Sequence, residues 1–279
     1  MSWKITTLIE NHPDEEGSLV CEHGFSLLIE NDTFKMLLDT GKSGAFYDNA
    51  RKLGEDLNDL DCIVISHGHY DHAGGFLRLM EETGTQNKLY VGKGFFEGKY
   101  CTNKDGVIYY NGIQFERQQL KQLPITVEEV GEDCLEITKG IYIHRNFERT
   151  VPYEHWNSRF FLKENGEYVR DTFADEMALT LDTKEGLVVI VGCSHPGIVN
   201  ILKTIASRTG RRIRGVIGGT HLMDADAERL QRTMEDFKTL GIEFIGVSHC
   251  TGDDNLKEIQ KTFGTHFIFN CTGNRIEFD

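Results

Sequence analysis

Ser66 His67 Gly68 His69 Tyr70 Asp71 His72 Ala73 Gly74 Gly75 places four metal-ligand side chains, His67, His69, Asp71 and His72, within six residues. The stretch follows the short run Asp61 Cys62 Ile63 Val64 Ile65, which reads as a buried strand, and leads into a pattern from about His72 to Glu82 that reads as a helix. Imidazole and carboxylate donors suit zinc first, then manganese or iron, and a loop at a strand end can direct alternate side chains at two ions. Gly68 permits a tight bend, while Gly74 and Gly75 allow another backbone to approach closely. A polar surface turn that happens to be rich in histidine is the bland alternative. Four ligand types in this order, directly behind a buried strand, are hard to explain that way.

Upstream, Lys4 to Ile9, Phe25 to Glu30 and Phe34 to Asp39 read as an antiparallel meander, the last two joined by the turn Asn31 Asp32 Thr33. Ser43 is placed to cap a helix through about Leu53. Downstream, Lys88 to Val91 reads as a strand. The segment from about 92 to 175 is less regular, with short β-like pieces such as Val107 to Tyr110 and Ile141 to His144, and it is expected to be an insertion or lid within a single domain spanning 1–279. Regular patterning returns with strands at Ala178 to Leu181, Leu187 to Val191, Arg214 to Ile217, Phe244 to Val247 and His266 to Phe269. Helices are expected near Gly197 to Arg208, Ala225 to Leu240 and Asn255 to Phe263. Two strand-rich halves with helices outside predict an α/β sandwich of two sheets.

Composition bounds the function. The chain of 279 residues is long enough to bury a sizeable core, and 39% hydrophobic with 27% charged residues is ordinary for a globular protein. A net charge of −14 gives no footprint for nonspecific nucleic-acid binding, but a metal or local cations can still draw a small anionic substrate into one cleft. The basic run Arg208 to Arg214 reads as a solvated helix end before it reads as an anion site. No secretory signal or membrane-length apolar run is evident, and seven cysteines without a CxxC pair suit reduced thiols. The cytoplasm is therefore expected, with no membrane partner. Self-association is left open.

The motif at residues 67–72 resembles, residue for residue, the HxHxDH signature of the metallo-β-lactamase superfamily. That resemblance implies a four-layered αββα sandwich with the metals at one edge between the sheets, His67 and His69 serving one metal and Asp71 with His72 the other. It also implies later ligands at strand ends: His195 in Gly192 Cys193 Ser194 His195 Pro196 Gly197 as third histidine of the first metal, and His249 in Ser248 His249 Cys250 Thr251 Gly252 as the terminal histidine of the second. Asp39, in Leu38 Asp39 Thr40 Gly41, matches a recurring element that supports the metal loop. The sequence departs from the family at the usual bridging aspartate, where it has Gly218 Gly219 Thr220 His221. A neutral imidazole has one lone pair for a metal, so His221 is either a ligand to one ion or a proton-transfer group. Asp224 and Asp226 look like acids of the next helix start. Together the motifs are similar to the branch that includes an archaeal dihydropterinyl-methyl ribofuranosylaminobenzene phosphate synthase.

The chemistry that follows is metal-assisted hydrolysis of a small anionic substrate, a phosphate ester first, through a metal-bound hydroxide at one or two ions. Asp71 would orient the water and take its proton, with His221 or Tyr70 assisting the leaving oxygen. The alternative is a transferase that displaces diphosphate from a dihydropterin-methyl diphosphate-like substrate, and an alternative of another class is a metal-binding sensor without turnover. Arg145, Arg149, His155 and Trp156 are the expected substrate wall, since arginine forks pair with phosphate and aromatics stack on planar rings.

Overall fold

A computed structural model describes residues 2–84 and 86–279, which form two compact units. The first comprises Met1–Gly131, Asn157–Asp175 and Cys271–Asp279; the second comprises Glu132–Trp156 and Glu176–Asn270.

A seven-stranded sheet organises the first unit, in the order Arg275–Phe278, Trp3–Ile9, Ser26–Asn31, Phe34–Leu38, Cys62–Ile65, Lys88–Gly92, Thr126–Val130. Its first four strands pair antiparallel, as the alternating patterns and the short turn after Asn31 require, and the rest pair parallel. Cys62–Ile65 is buried at all four positions, which is why its sequence is a continuous apolar run. Leu37, Ile63 and Leu89 pack with Phe46, Phe76 and Leu79 from helices Ala45–Leu53 and Phe76–Thr83. Ser43 accepts the Ala45 N–H at 3.2 Å, so it supports the first helix from two residues before it.

The helix expected over His72 to Glu82 is two pieces, Tyr70–Ala73 and Phe76–Thr83. The break follows from close packing. A Cβ on Gly74 would lie 2.1 Å from the Lys42 carbonyl oxygen, and one on Gly75 2.2 Å from that of Thr40. The strand expected at His266 to Phe269 is reduced to one parallel bridge of Phe267 with Ile245 after the tight turn Gly264–His266, and a further strand follows at Arg275–Phe278, in which Ile276 and Phe278 alternate inward.

The second unit holds a six-stranded sheet in the order Phe244–Ser248, Ile213–Gly219, Gly186–Val191, Ala178–Thr183, Ile141–His144, Cys134–Thr138. The first three strands are parallel and the others antiparallel. Helices Ile198–Thr209, Ala227–Thr239 and Asp253–Phe263 supply Ile201, Ile205, Phe237 and Ile259 to its core. Asp226 caps Ala227–Thr239 by accepting the Arg229 N–H at 2.8 Å, as its sequence position suggested.

Residues 92–175 are therefore more regular than their sequence. Thr126–Val130 completes the first unit's large sheet, and Cys134–Thr138 with Ile141–His144 completes the second unit's. The remainder forms a four-stranded sheet within the first unit: Glu167–Arg170, Phe160–Glu164, Lys99–Thr102, Ile108–Tyr110. Among the described residues no helix is long and apolar enough to cross a membrane.

Candidate metal centre

In the first unit, every motif side chain sits at the carboxyl end of a parallel strand, where ligands of open α/β sheets gather. Asp39 follows Phe34–Leu38 with φ +58°, a left-handed conformation that aspartate tolerates better than most residues. Fully buried, it accepts the Ser66 N–H at 2.7 Å and the Ser66 hydroxyl at 2.8 Å, and it lies 2.6 Å from His72 Nδ1. A carboxylate only accepts, so the His72 proton sits on Nδ1 and its lone pair on Nε2. The same logic runs through Ser66. Its hydroxyl donates to Asp39 and so accepts from His67 Nδ1 at 3.0 Å, which leaves the His67 lone pair on Nε2.

That nitrogen lies 3.0 Å from His69 Nδ1. Two imidazoles bound to one zinc at tetrahedral angles would hold their nitrogens about 3.3 Å apart, so the pair is already close to ligation geometry. Burial, with His72 and His69 beside it, holds the His67 imidazole well below its usual pKa, in the neutral form that coordinates. His69 stacks on Phe160 at 5.3 Å and meets Phe173 edge-on at 5.9 Å. Asp71 Oδ2 lies 3.2 Å from His23 Nε2 and 3.8 Å from His72 Nε2. The donor set fits a divalent transition metal.

Sequence reasoning missed the support beneath Gly68. Asp175 accepts the Gly68 N–H at 2.7 Å and a hydrogen bond from Lys99 at 2.8 Å, while Lys99 also donates to Asp171 at 2.9 Å. All three side chains are buried. Burial alone would lower the Lys99 pKa, but Asp175 and Asp171 outweigh it and raise it. A Cβ at position 68 would lie 2.6 Å from the Phe95 carbonyl, so only glycine fits between that strand loop and the ion triad. His23 was missed as well: a lone histidine in a loop carries no signal of its own.

In the second unit the strand ends carry His195, His221 and His249. Adjacent parallel strands align Val191 with Gly218 and Gly219 with Ser248, so the three loops that follow are neighbours. The His195 and His221 rings lie 4.3 Å apart, and all three histidines are buried. Ser194, His221 and His249 have φ of +62°, +47° and +54°, left-handed values that few residues other than glycine adopt, Asn, Asp and His more often than the rest. Hydrogen bonds hold them there: Ser194 donates its N–H to Glu176 and its hydroxyl to the Gly219 carbonyl, each at 2.7 Å. Thr220 and Thr251 hydroxyls join at 2.9 Å.

Two cysteines lie within this cluster. Cys250 Sγ accepts the His221 N–H at 3.2 Å and lies 3.4 Å from the Cys193 carbonyl oxygen. Burial opposes ionisation of Cys250, but contacts with Cys193 and His221 and the neighbouring His249 and His221 imidazoles outweigh it and bring its pKa well below the usual value.

Among the expected substrate residues, the Arg149 guanidinium lies 3.5 Å over the Trp156 ring and reaches the His195 carbonyl at 3.4 Å. Burial lowers the Arg149 pKa to about 10, which leaves it cationic at neutral pH. Arg145 is buried, with its carbonyl held by Arg208 at 2.5 Å, and His155 is exposed. The basic run is engaged in structural contacts: Arg211 pairs with Asp182, Arg212 with Glu243, and Arg214 with Glu185 and Glu243.

The sequence profile of the metallo-beta-lactamase superfamily matches residues 19–144. The 7,8-dihydropterin-6-methyl-4-(beta-D-ribofuranosyl)-aminobenzene-5'-phosphate synthase of Methanocaldococcus jannaschii is 30% identical, over 99% of this chain and 96% of its own. The chain belongs to the metallo-β-lactamase superfamily. A second relative, an uncharacterised protein of M. jannaschii, is 30% identical over 91% of this chain and 93% of its own. The crystal structure of a metal-dependent hydrolase of the superfamily matches with TM-score 0.86 at 34% identity, covering 99% of each chain. The fold is thus the metallo-β-lactamase fold, members of the superfamily bind divalent metals, and this member carries candidate ligand groups in the expected loops.

Proposed function

We propose that this superfamily member is a metal-dependent hydrolase of a small anionic substrate, a phosphate ester in the leading case. Its candidate metal ligands are His67, His69, Asp71 and His72 in the first unit and, in the second, His195, His221 and His249. The observation that carries this reading is the 3.0 Å approach of His67 Nε2 and His69 Nδ1, with the His67 lone pair set from Asp39 through Ser66. Bound zinc would supply Lewis acidity toward a phosphoryl oxygen and a water ionised near neutral pH. Asp71 is placed by His23 to orient that water and accept its proton. The Tyr70 hydroxyl, pushed up to about 12 by burial and then by Asp71, stays protonated and donates to a leaving oxygen. Arg149, stacked on Trp156, recognises the substrate anion together with Arg145 and His155.

A second reading, transfer with loss of diphosphate, is favoured by the synthase relative, which aligns over nearly the whole chain. Metal content and turnover separate the readings. Protein purified without chelator is expected to hold divalent metal, to hydrolyse a generic phosphodiester, and to lose both on chelation or with His67→Ala. Metal retained with no hydrolysis, but with diphosphate released from a dihydropterin-methyl diphosphate and an arylamine, would replace hydrolase by transferase. Metal bound with neither reaction would leave a sensor.

A further inference from the structure

Three strand-end residues of the second unit form a group that the proposed ligand set only partly uses. Cys193, His221 and Cys250 are 3%, 8% and 3% exposed, and their Sγ, imidazole nitrogen and Sγ donor atoms all lie within 4.8 Å of one another. We propose that these three side chains bind a divalent metal of soft or borderline character, zinc-like, through two thiolates and one imidazole. The proposal rests on the metal-dependence argued above; it gives the single His221 lone pair to this sulfur-bearing ion and leaves His195 and His249 to the set without sulfur.

The packing that brings the sulfurs together is specific. Val191, Gly218 and Val247 lie abreast on three parallel strands, so Cys193 and Cys250 flank the central loop that carries His221. Gly219 is what lets them meet: a Cβ there would lie 2.6 Å from Cys250 Sγ and 3.4 Å from Cys193 Cα. The His221 N–H, at 3.2 Å, and the Cys193 carbonyl, at 3.4 Å, fix the rotamer of Cys250. A cysteine that merely filled the space over Gly219 would explain one sulfur. It would not explain a second sulfur and an imidazole converging on it.

Geometry and charge both fit. Two sulfurs at about 2.3 Å from a tetrahedral zinc sit about 3.8 Å apart, so donors within 4.8 Å need close by at most about 1 Å. Each thiol loses its proton to solvent on binding, and two thiolates then neutralise the dication, so no net charge is left buried. Three protein ligands leave one tetrahedral position for water or substrate, the arrangement of a reactive site and not of a closed structural one.

Cobalt(II) titration of the metal-free protein reads sulfur directly, because thiolate ligation gives a near-ultraviolet charge-transfer band while any bound cobalt gives visible bands. The wild type is expected to show the near-ultraviolet band, Cys193→Ser and Cys250→Ser each to halve it, and the double variant to lose it. Cys134→Ser, at an exposed position, should leave it intact. Should a variant fail to fold, thiol alkylation of the wild type gives the same answer: zinc should protect two thiols, and chelator should expose them. Visible bands without the near-ultraviolet band, or no protected thiols, would overturn the sulfur site and leave the hydrolase reading standing. No cobalt uptake at all would overturn both.

Discussion

The candidate ligands of the first unit have ordinary backbone and are held by side chains beneath them, whereas two of the three in the second unit, His221 and His249, are themselves bent into left-handed backbone, and His195 follows a residue that is. Asp39 locks Ser66 and His72, and the Lys99 ion triad locks Gly68, so the strain in this unit sits on supports such as Asp39 and Phe173. In the second unit His221 and His249 carry positive φ directly, and the Glu176 carboxylate and Thr251 hydroxyl hold the turns by bonds to their backbone. The difference teaches where a substitution acts. Replacing a ligand in the first unit removes a donor and leaves the loop, whereas replacing one in the second also changes what the backbone prefers.

The largest effect is expected where that side-chain scaffold is charged. Lys99→Met would leave Asp171 and Asp175 buried without their cation, at a cost of roughly 3–5 kcal/mol in urea unfolding. Removing the charge altogether, with Asp171→Asn and Asp175→Asn added, should recover most of that loss, because breaking a buried ion cluster costs more than lacking one. If the single variant unfolds within about 1 kcal/mol of the wild type, a threshold set by the exposed-pair range, the first unit does not depend on its buried charges as described. Asp39→Asn comes next. Asparagine keeps the left-handed turn but presents one acceptor oxygen to partners that now share two, so metal affinity by equilibrium dialysis should fall ~10–100-fold with the fold intact. Unchanged affinity would mean that His72 is oriented by something else.

How much of this was legible depends on sequence distance. The candidate ligand loop stands out because its donors are nearly contiguous and follow a strand that is apolar at every position, and Asp39, His195 and His249 were expected from the family resemblance, each in the loop after a recognisable strand. The Lys99 triad does not stand out: its partners lie 72 and 76 residues away, and Lys99 Tyr100 Cys101 Thr102 alternates like a surface strand. The middle of the chain shows little of its sheet pairing in the sequence for a related reason, although the β-like pieces at Val107 to Tyr110 and Ile141 to His144 are strands. Its short strands are amphipathic or exposed, so they show their pairing only once the sheets that receive them exist. Cys250 over Gly219 is a contact between two loops, and the sequence shows merely a small residue and a thiol.

The smallest effect isolates backbone strain in the second unit from ligand loss. His221 has φ +47°, and asparagine visits that region far more readily than alanine does. His221→Asn and His221→Ala both remove the imidazole, so both should lower metal content equally. In chelator-treated protein, however, the asparagine variant should be more stable than the alanine one by about 1 kcal/mol, read from thermal unfolding. Equal stability would mean that the turn at Thr220 and His221 relaxes once its side chain is shortened, and that the Thr251 and Cys250 contacts do not impose its conformation. The predicted gap would instead show that the strand-end geometry is built before any metal arrives, with the imidazole placed by a backbone that most residues resist.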